Sequence, residues 1–157
     1  MLRLALLIQN RVINRVARAL LEAGLAPPTY ALLETTGRRS GRPRRVPVAN
    51  GLQGETFWLI SGLGERAHYL RNIKADPRVR VKARPARLRD GLPMRWRSGT
   101  ARLVFDDSPR ARQRQLGRGR PGYRADAVLL RALAAAGGGQ MLTVCIDLDR
   151  GGLAGAA

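Results

Sequence analysis

The chain is organised around a basic turn with the sequence Thr35-Thr36-Gly37-Arg38-Arg39-Ser40-Gly41-Arg42-Pro43-Arg44-Arg45-Val46-Pro47. Residues 35–44 are called the arginine turn below. Gly37 and Gly41 permit backbone conformations that residues with a Cβ avoid, so several backbone N–H groups can point at one ligand. Guanidinium groups bind phosphate oxygens in pairs, and the hydroxyl groups of the turn add further donors. The turn therefore predicts an anion-binding site, and the phosphate of a cofactor is the expected ligand.

A solvent-exposed basic hairpin is the alternative interpretation of the same residues. Arginine is abundant throughout the sequence, and Lys74 and Lys82 are the only lysines among 29 basic residues. The composition therefore does not distinguish a binding turn from a solvated one. The grouping of hydroxyls, glycines and arginines between two predicted strands favours the binding turn.

The length and composition of the chain indicate one globular domain, residues 1–157, with acidic partners. A chain of 157 residues, of which 45% are hydrophobic, is long enough to bury a single core. The net charge of +18 predicts binding to nucleic acid, to an anionic membrane surface or to a polyanionic small molecule. Charge alone does not distinguish these three kinds of partner.

Cysteine and histidine are too scarce for several kinds of functional site. Cys145 is the one cysteine, which excludes an intrachain disulfide, a thiolate zinc site and a CxxC redox pair, and which suits the reducing cytoplasm. His68 is the one histidine, so a metal site with several histidines is excluded, and we predict no metal. The apolar run 4–8 is too short for the core of a signal peptide or for a membrane span.

Residues 2–24 are predicted to form an amphipathic N-terminal helix. Apolar residues recur at helical spacing from Ile8 to Ala23, arginines occupy the opposite face, and Gly24 with the prolines after it ends the helix. Two roles stay open for this helix. It either packs on the chain's own core or makes peripheral contact with the anionic inner face of a membrane.

Residues 29–150 contain many short predicted strands and few helices. The strands cover residues 30–34, 45–50, 56–61, 79–84, 94–105 and 141–148, and the fifth is expected to be bent or bulged near Gly99. The helices cover residues 65–75, a segment that Ser108 caps and Pro109 begins, and residues 124–136. Strand–helix–strand units long enough for a parallel sheet are scarce. We therefore predict an α+β fold with a mainly antiparallel sheet or small barrel.

Two motifs in combination resemble the deazaflavin-dependent nitroreductase and quinone reductase family. One is the arginine turn; the other is the helix Tyr69-Leu70-Arg71-Asn72-Ile73-Lys74-Ala75-Asp76-Pro77, which follows the break Ser61-Gly62-Leu63-Gly64. Members of that family are split β-barrels related to FMN-binding proteins of the pyridoxamine-phosphate-oxidase-like fold. The resemblance covers residues 30–81 and, more loosely, residues 99–101 and 142–144. It implies a split β-barrel with flanking helices and an N-terminal helix.

The resemblance implies an oxidoreductase that takes a hydride from reduced coenzyme F-420, an 8-hydroxy-5-deazaflavin. Because the hydride leaves ring carbon 5 of the cofactor, the protein needs no covalent nucleophile. The implied acceptor is a small hydrophobic molecule such as a quinone, a nitro compound or an activated alkene. A monomer or a homodimer is expected, and nucleic acid is not an expected partner.

The resemblance also implies roles for individual residues. The residues implied to bind the phosphate and acidic tail of the cofactor are Arg38, Arg39, Ser40, Gly41 and Arg44. The residues implied to line or adjoin the ring are Val46, Pro47, Val48, Ser61, Gly62, Tyr69 and Asn72. The candidate proton donors, besides solvent, are Ser61, Tyr69 and Tyr123.

The chain departs from the best-known members in ways that bear on the acceptor. The loop after Ser61 is short and lacks the basic residue that often follows this serine. Tyr123 is the one tyrosine late in the chain, where relatives that reduce nitro compounds and quinones have several. His68 is expected to be an ordinary exposed helix residue.

Two alternatives to the deazaflavin hypothesis are kept. The same barrel can bind FMN, because both cofactors carry a phosphate tail. The second alternative is a basic protein that binds nucleic acid or a membrane surface directly. Trp96, between Arg95 and Arg97, is the residue best suited to stack on a base. This second alternative predicts basic residues massed on one face and no deep cavity.

Overall fold

The computed structural model describes residues 29–84, 94–118 and 140–150, together with Ala19, Glu22, Ala23 and Ala135. Nearly all of the predicted helices 2–24 and 124–136 lies outside these residues, and so does Tyr123. Whether the N-terminal helix packs on the core or on a membrane therefore stays a prediction. Among the described residues, no helix has the length and apolar character that crossing a bilayer requires.

The described residues form seven strands and two α-helices. The strands are β1 (Tyr30–Thr36), β2 (Pro43–Ala49), β3 (Leu52–Gln53), β4 (Thr56–Ser61), β5 (Arg78–Ala83), β6 (Arg95–Val104) and β7 (Leu142–Leu148). The helices are α1 (His68–Ala75), which a 3-10 turn at Gly64–Arg66 precedes, and α2 (Pro109–Leu116).

The strands form one curled antiparallel sheet in the order β2-β1-β5-β6-β7-β4-β3. The two edge strands, β2 and β3, are consecutive in the chain and are joined at Asn50 and Gly51, so the curl brings the edges of the sheet together. The side chain of Asn50 fixes this junction by donating to the Arg84 carbonyl (2.8 Å) and accepting from the Leu52 N–H (3.1 Å). The predicted α+β split-barrel fold is confirmed.

The inner face of the curled sheet carries the main core. Because side chains alternate along a strand, Leu33 of β1 shares this face with its cross-strand partners, Val46 on β2 and Val81 on β5. Further inner residues are Phe57, Leu59, Val144 and Ile146, and α1 closes one end of the barrel with Leu70 and Ile73.

The outer face carries smaller clusters and most of the ion pairs. Leu32 packs there with Met94, Tyr30 and Trp96. Glu34 accepts hydrogen bonds from Arg45 Nε (2.7 Å) and Arg80 Nη1 (3.1 Å). Both arginines also lie over the ring of Trp96, at 5.2 and 5.0 Å from its centroid, so intramolecular guanidinium groups already contact the ring that was considered for base stacking.

Two sequence predictions differ in detail from the structure. The predicted helix 65–75 is interrupted, because Ala67 has an extended ψ of 131° between the 3-10 turn and α1. The predicted bulge at Gly99 is wrong: Gly99 pairs in regular register with Val79 and with Leu148. A Cβ at position 99 would lie 2.7 Å from the Asp147 carbonyl oxygen, so the glycine permits close approach of two strands.

Helix α2 contacts the outer face of the sheet through Arg112, which an ion pair with the turn before the helix holds in place. Ser108 caps the helix through its side chain and Pro109 occupies the first turn, as the sequence predicts. Arg112 donates to both carboxylate oxygens of Asp107 (3.1 and 3.2 Å), and its guanidinium carbon lies 3.8 Å from the centroid of the Trp58 ring. Burial opposes ionisation of Asp107, but the hydrogen bonds and charge of Arg112 outweigh burial, so the pKa of Asp107 is lowered.

This ion pair predicts an acid-sensitive contribution to stability. A lowered pKa in the folded state stabilises the fold above the unfolded pKa of about 3.9, and that stabilisation disappears as pH falls through the folded pKa. We expect Asp107→Asn to lower the free energy of unfolding by about 1–3 kcal/mol at pH 7 and by much less at pH 3. Urea denaturation of both proteins at the two pH values measures this, and an equal difference at both would contradict the assignment.

Candidate active site

The arginine turn forms a hydrogen-bonded loop between β1 and β2. The Gly37 N–H donates to the Arg42 carbonyl (2.9 Å), and the N–H groups of Ser40 and Gly41 donate back to the Gly37 carbonyl (3.1 and 2.7 Å). Gly41 has a φ of 64°, a left-handed conformation that disfavours side chains. At Gly37 the constraint is space, since a Cβ would lie 2.8 Å from Ser40 Oγ and 3.0 Å from the Arg42 carbonyl oxygen. The loop therefore needs both glycines.

A cavity of about 420 Å³ lies between the arginine turn, the start of β2 and the first turns of α1. We call it the cofactor cavity, after the ligand that the sequence predicts for the arginine turn. The predicted site residues that line it are Arg38, Arg39, Ser40, Arg44, Val46, Tyr69 and Asn72. These residues lie up to 34 positions apart in the sequence, and the fold brings them to one concave surface. His68 also lines the cavity and is exposed, as expected for the first residue of α1.

The remaining predicted site residues lie around the cavity or away from it. Val48 is buried on the inner face of β2, one pleat beyond Val46. Pro47 points to the outer face, because it pairs with Leu32 and alternates with Val46 and Val48. Gly41 borders a smaller cavity on the other side of the arginine turn. The two residues Ser61 and Gly62 are buried at the end of β4 and do not line the cavity wall.

Three arginines at the cofactor cavity, Arg38, Arg39 and Arg44, have no carboxylate partner in the described residues, whereas a fourth, Arg45, is paired. Within residues 29–84, 94–118 and 140–150, neither Arg39 nor Arg44 pairs with a carboxylate; Arg44 Nη2 is 3.5 Å from the Ser40 hydroxyl oxygen. The arginines with carboxylate partners in the same part of the chain are Arg45, Arg78, Arg80, Arg97, Arg102 and Arg112. Uncompensated positive charge therefore faces this cavity, which suits an anionic ligand.

Asn72 links the arginine turn to α1. Its side-chain oxygen accepts hydrogen bonds from the backbone N–H of Arg38 (3.3 Å) and from Arg38 Nη1 (3.0 Å). Its Nδ2 donates to Thr35 Oγ1 at 3.0 Å. The sequence predicted that Asn72 contacts the cofactor, and this stays a prediction; the structure shows that the side chain lines the cavity and also holds the turn.

Tyr69 links α1 to the end of β4 in a similar way. The Ser61 hydroxyl donates to the Gly64 carbonyl (3.1 Å), and the Tyr69 hydroxyl forms a hydrogen bond with Ser61. Burial raises the pKa of Tyr69, and the bond with Ser61 offsets this only in part, so the hydroxyl stays protonated at neutral pH.

The hydroxyl pair predicts non-additive effects on turnover. We expect Tyr69→Phe and Ser61→Ala each to lower kcat at least about tenfold, and the double variant to be no slower than the slower single variant. The cofactor Kd should change less than about threefold, because neither hydroxyl faces the arginine turn. Steady-state kinetics of the three variants tests this, and additive losses would show that the two hydroxyls act separately.

The fold and the cavity together define a split-barrel protein with an arginine-lined cavity at one end of α1. A model of the F420H(2)-dependent quinone reductase family matches residues 8–128, and the chain belongs to this family. It is therefore a deazaflavin-dependent reductase, with coenzyme F-420 as its cofactor. No curated protein is similar in sequence.

Solved structures with the same fold are distant in sequence. One, a protein described as a domain-swapped dimer, is 18% identical over 88% of this chain and 98% of its own, with a TM-score of 0.51. The heme storage protein HutZ from Vibrio cholerae is 15% identical over 79% of this chain and 84% of its own, with a TM-score of 0.52. An F420-H2 dependent reductase (FDR-A) is 20% identical over 75% of this chain and 93% of its own, with a TM-score of 0.48. At such identities, the first two similarities show the fold alone.

Proposed function

We propose that the cofactor cavity is where the chain binds coenzyme F-420, with Arg38, Arg39 and Arg44 holding its phosphate and acidic tail. The observation that carries the proposal is the convergence of three arginines without carboxylate partners in the described residues on one concave surface. Other arginines in the same residues, such as Arg78, Arg102 and Arg112, are paired with Asp149, Asp147 and Asp107, respectively. A polyanion placed at the cavity replaces the missing carboxylates.

The cavity fits the cofactor in size and in the character of its walls. Its volume of about 420 Å³ lies within the range of about 300–1,000 Å³ that small-molecule sites occupy. The apolar side chain of Val46 and the aromatic ring of Tyr69 line it beyond the arginines. A planar ring with a charged tail is matched by apolar and aromatic walls at one end and guanidinium groups at the other.

The chemistry divides between the cofactor and the chain. The reduced cofactor supplies a hydride when bound. The side chains of the arginine turn bind the tail and fix the orientation of the ring, and their positive charges favour the negative charge that an acceptor gains on reduction. Tyr69 is proposed to form the ring side of the site, with the buried Ser61 and Gly62 behind it at the end of β4, and Tyr69 holds a proton on a hydroxyl that stays neutral at physiological pH.

We further propose a small hydrophobic acceptor, with a quinone as the first candidate. The family is named for quinone reduction. In the turn directly after Ser61 and Gly62, Leu63 leaves 43% of its surface exposed, one of two large apolar side chains so exposed in the described part of the chain. An apolar residue next to the proposed ring side suits an apolar acceptor.

An anaerobic turnover assay tests the acceptor. The purified protein is mixed with reduced coenzyme F-420 and, separately, a soluble benzoquinone, a nitroaromatic compound or an α,β-unsaturated ketone, and cofactor oxidation is followed by absorbance. We expect protein-dependent oxidation with the quinone. Tight cofactor binding without oxidation by any of the three would contradict the proposed acceptor class while leaving the cofactor site intact.

Three sequence predictions stay predictions. They are binding of FMN in place of the deazaflavin, assembly as a homodimer, and peripheral contact of residues 2–24 with a membrane. Each has a direct measurement: parallel titration with FMN, sedimentation of the purified chain, and co-flotation with anionic liposomes. Binding of FMN alone would keep the fold and replace the proposed hydride donor.

A further inference from the structure

The contact between α1 and the arginine turn has an unusual chemical composition. Arg38 projects into the cofactor cavity, and its described partner is the neutral amide oxygen of Asn72, which is 3.0 Å from Arg38 Nη1. Asn72 lies on α1 and is 5% exposed, so the packing around it fixes the position of its side chain. Its amide also holds the backbone N–H of the same arginine and the hydroxyl of Thr35, which is itself buried. One side chain therefore fixes both the backbone and the guanidinium group of Arg38.

We propose that Asn72 is a positioning residue that holds Arg38 in the cofactor cavity and, because its amide is neutral, leaves the charge of Arg38 available to the cofactor. The inference rests on the proposed cofactor site. It assigns Asn72 an action through Arg38 and requires no contact between Asn72 and the cofactor.

The ion pairs elsewhere in the sheet show what a carboxylate at this place would do. Arg45 and Arg80 are held by the buried carboxylate of Glu34, and Arg112 by Asp107. In each case the carboxylate that orients the guanidinium group also cancels its charge. An amide orients the same donors without that cancellation, since its oxygen accepts hydrogen bonds but carries no net charge.

Asn72→Asp separates orientation from charge. Aspartate has the shape of asparagine, so it can accept the same two hydrogen bonds from Arg38. The Thr35 hydroxyl, which accepts from Asn72 in the wild type, can rotate and donate to the new carboxylate. The substitution therefore keeps the geometry of the turn and neutralises Arg38.

The test is the Kd of coenzyme F-420 for wild type and Asn72→Asp, measured at several salt concentrations. We expect Asn72→Asp to bind about tenfold more weakly, with a shallower dependence of Kd on salt, because one attractive charge is lost. The matched control is Gln115→Glu, in which an amide oxygen that accepts from Arg112 (3.1 Å), on α2 and outside the cavity, becomes a carboxylate. It makes the same change in net charge and should bind like the wild type. Wild-type affinity and salt dependence in Asn72→Asp would overturn the proposal.

A double-mutant cycle tests positioning independently of charge. Asn72→Ala frees Arg38, so Asn72→Ala and Arg38→Ala should each weaken binding, and the double variant should lose clearly less than the sum of the two single losses. Additive losses would overturn the positioning role, because they would mean that Asn72 acts on the cofactor by another route. This cycle remains decisive if Asn72→Asp does not fold. Absence of F-420 binding by the wild type would instead refute the proposed cofactor site, so the two failures are distinguishable.

Discussion

Replacing Arg39 and Arg44 together by alanine is expected to weaken the binding of coenzyme F-420 about 100-fold. Hydrogen bonds to charged groups contribute about 1.5 kcal/mol or more each, and every 1.4 kcal/mol is a factor of ten in affinity. Both side chains are exposed at the cavity and neither has a carboxylate partner within the described ranges, so their removal leaves no buried charge unpaired. The fold should therefore be unaffected. Fluorescence titration gives the Kd, and thermal unfolding checks the fold.

The matched control for this double variant is Arg114→Ala with Arg118→Ala. Both arginines lie in α2 or the turn after it, are exposed and do not line the cofactor cavity, and their removal changes the net charge equally. The control should lose less than about threefold in affinity, through the weaker long-range field alone. Equal losses in the two double variants would mean that general positive charge binds the cofactor, not a site at the arginine turn.

Gly51→Ala is expected to be the most destabilising single substitution at the junction of β2 and β3. A Cβ at position 51 would lie 1.8 Å from the Trp58 carbonyl oxygen and 2.7 Å from the Trp58 carbonyl carbon, far inside contact distance. These backbone atoms cannot move away easily, because the Trp58 N–H donates to the Gly51 carbonyl (3.0 Å). Relief requires the junction to move away from β4. We expect a loss of about 3 kcal/mol or more, which lowers Tm by about 10 °C, or failure to fold.

The control for Gly51 is Gly54→Ala, in the hairpin between β3 and β4. Gly54 has a φ of 60°, and a Cβ there meets no atom within 4 Å. This alanine is strained by its backbone conformation alone, at a cost of about 1–2 kcal/mol. Thermal unfolding of the two variants measures the difference. A Gly51→Ala variant as stable as Gly54→Ala would contradict the described close approach of the junction to β4.

Local sequence signals predicted several elements well. The apolar run that ends at Ser61, between a turn and a glycine break, marks β4 at residues 56–61, as observed. Ser108 and Pro109 mark the start of α2 because capping and proline placement act within one turn of helix. The arginine turn was located by its glycines, whose conformation and crowding are local properties.

Other features depended on contacts that no local pattern encodes. Asn72 and Arg38 are 34 residues apart, and the sequence does not show that α1 packs its buried amide against the turn. The bond between Tyr69 and Ser61 likewise depends on where α1 crosses the barrel end. The outward direction of Pro47, by contrast, is encoded locally, because side chains alternate along β2 and Pro47 lies between Val46 and Val48. Applying that alternation to the predicted strand would have placed it on the outer face.

The most direct test of the account is a fluorescence titration of the purified protein with oxidised coenzyme F-420 and, in parallel, with FMN. The cavity with its unpaired arginines and the family membership predict saturable binding of coenzyme F-420, weakened by salt and by the Arg39→Ala and Arg44→Ala pair. Saturable binding of FMN with none of coenzyme F-420, or binding of neither, would contradict the central claim that the arginine turn is a deazaflavin site.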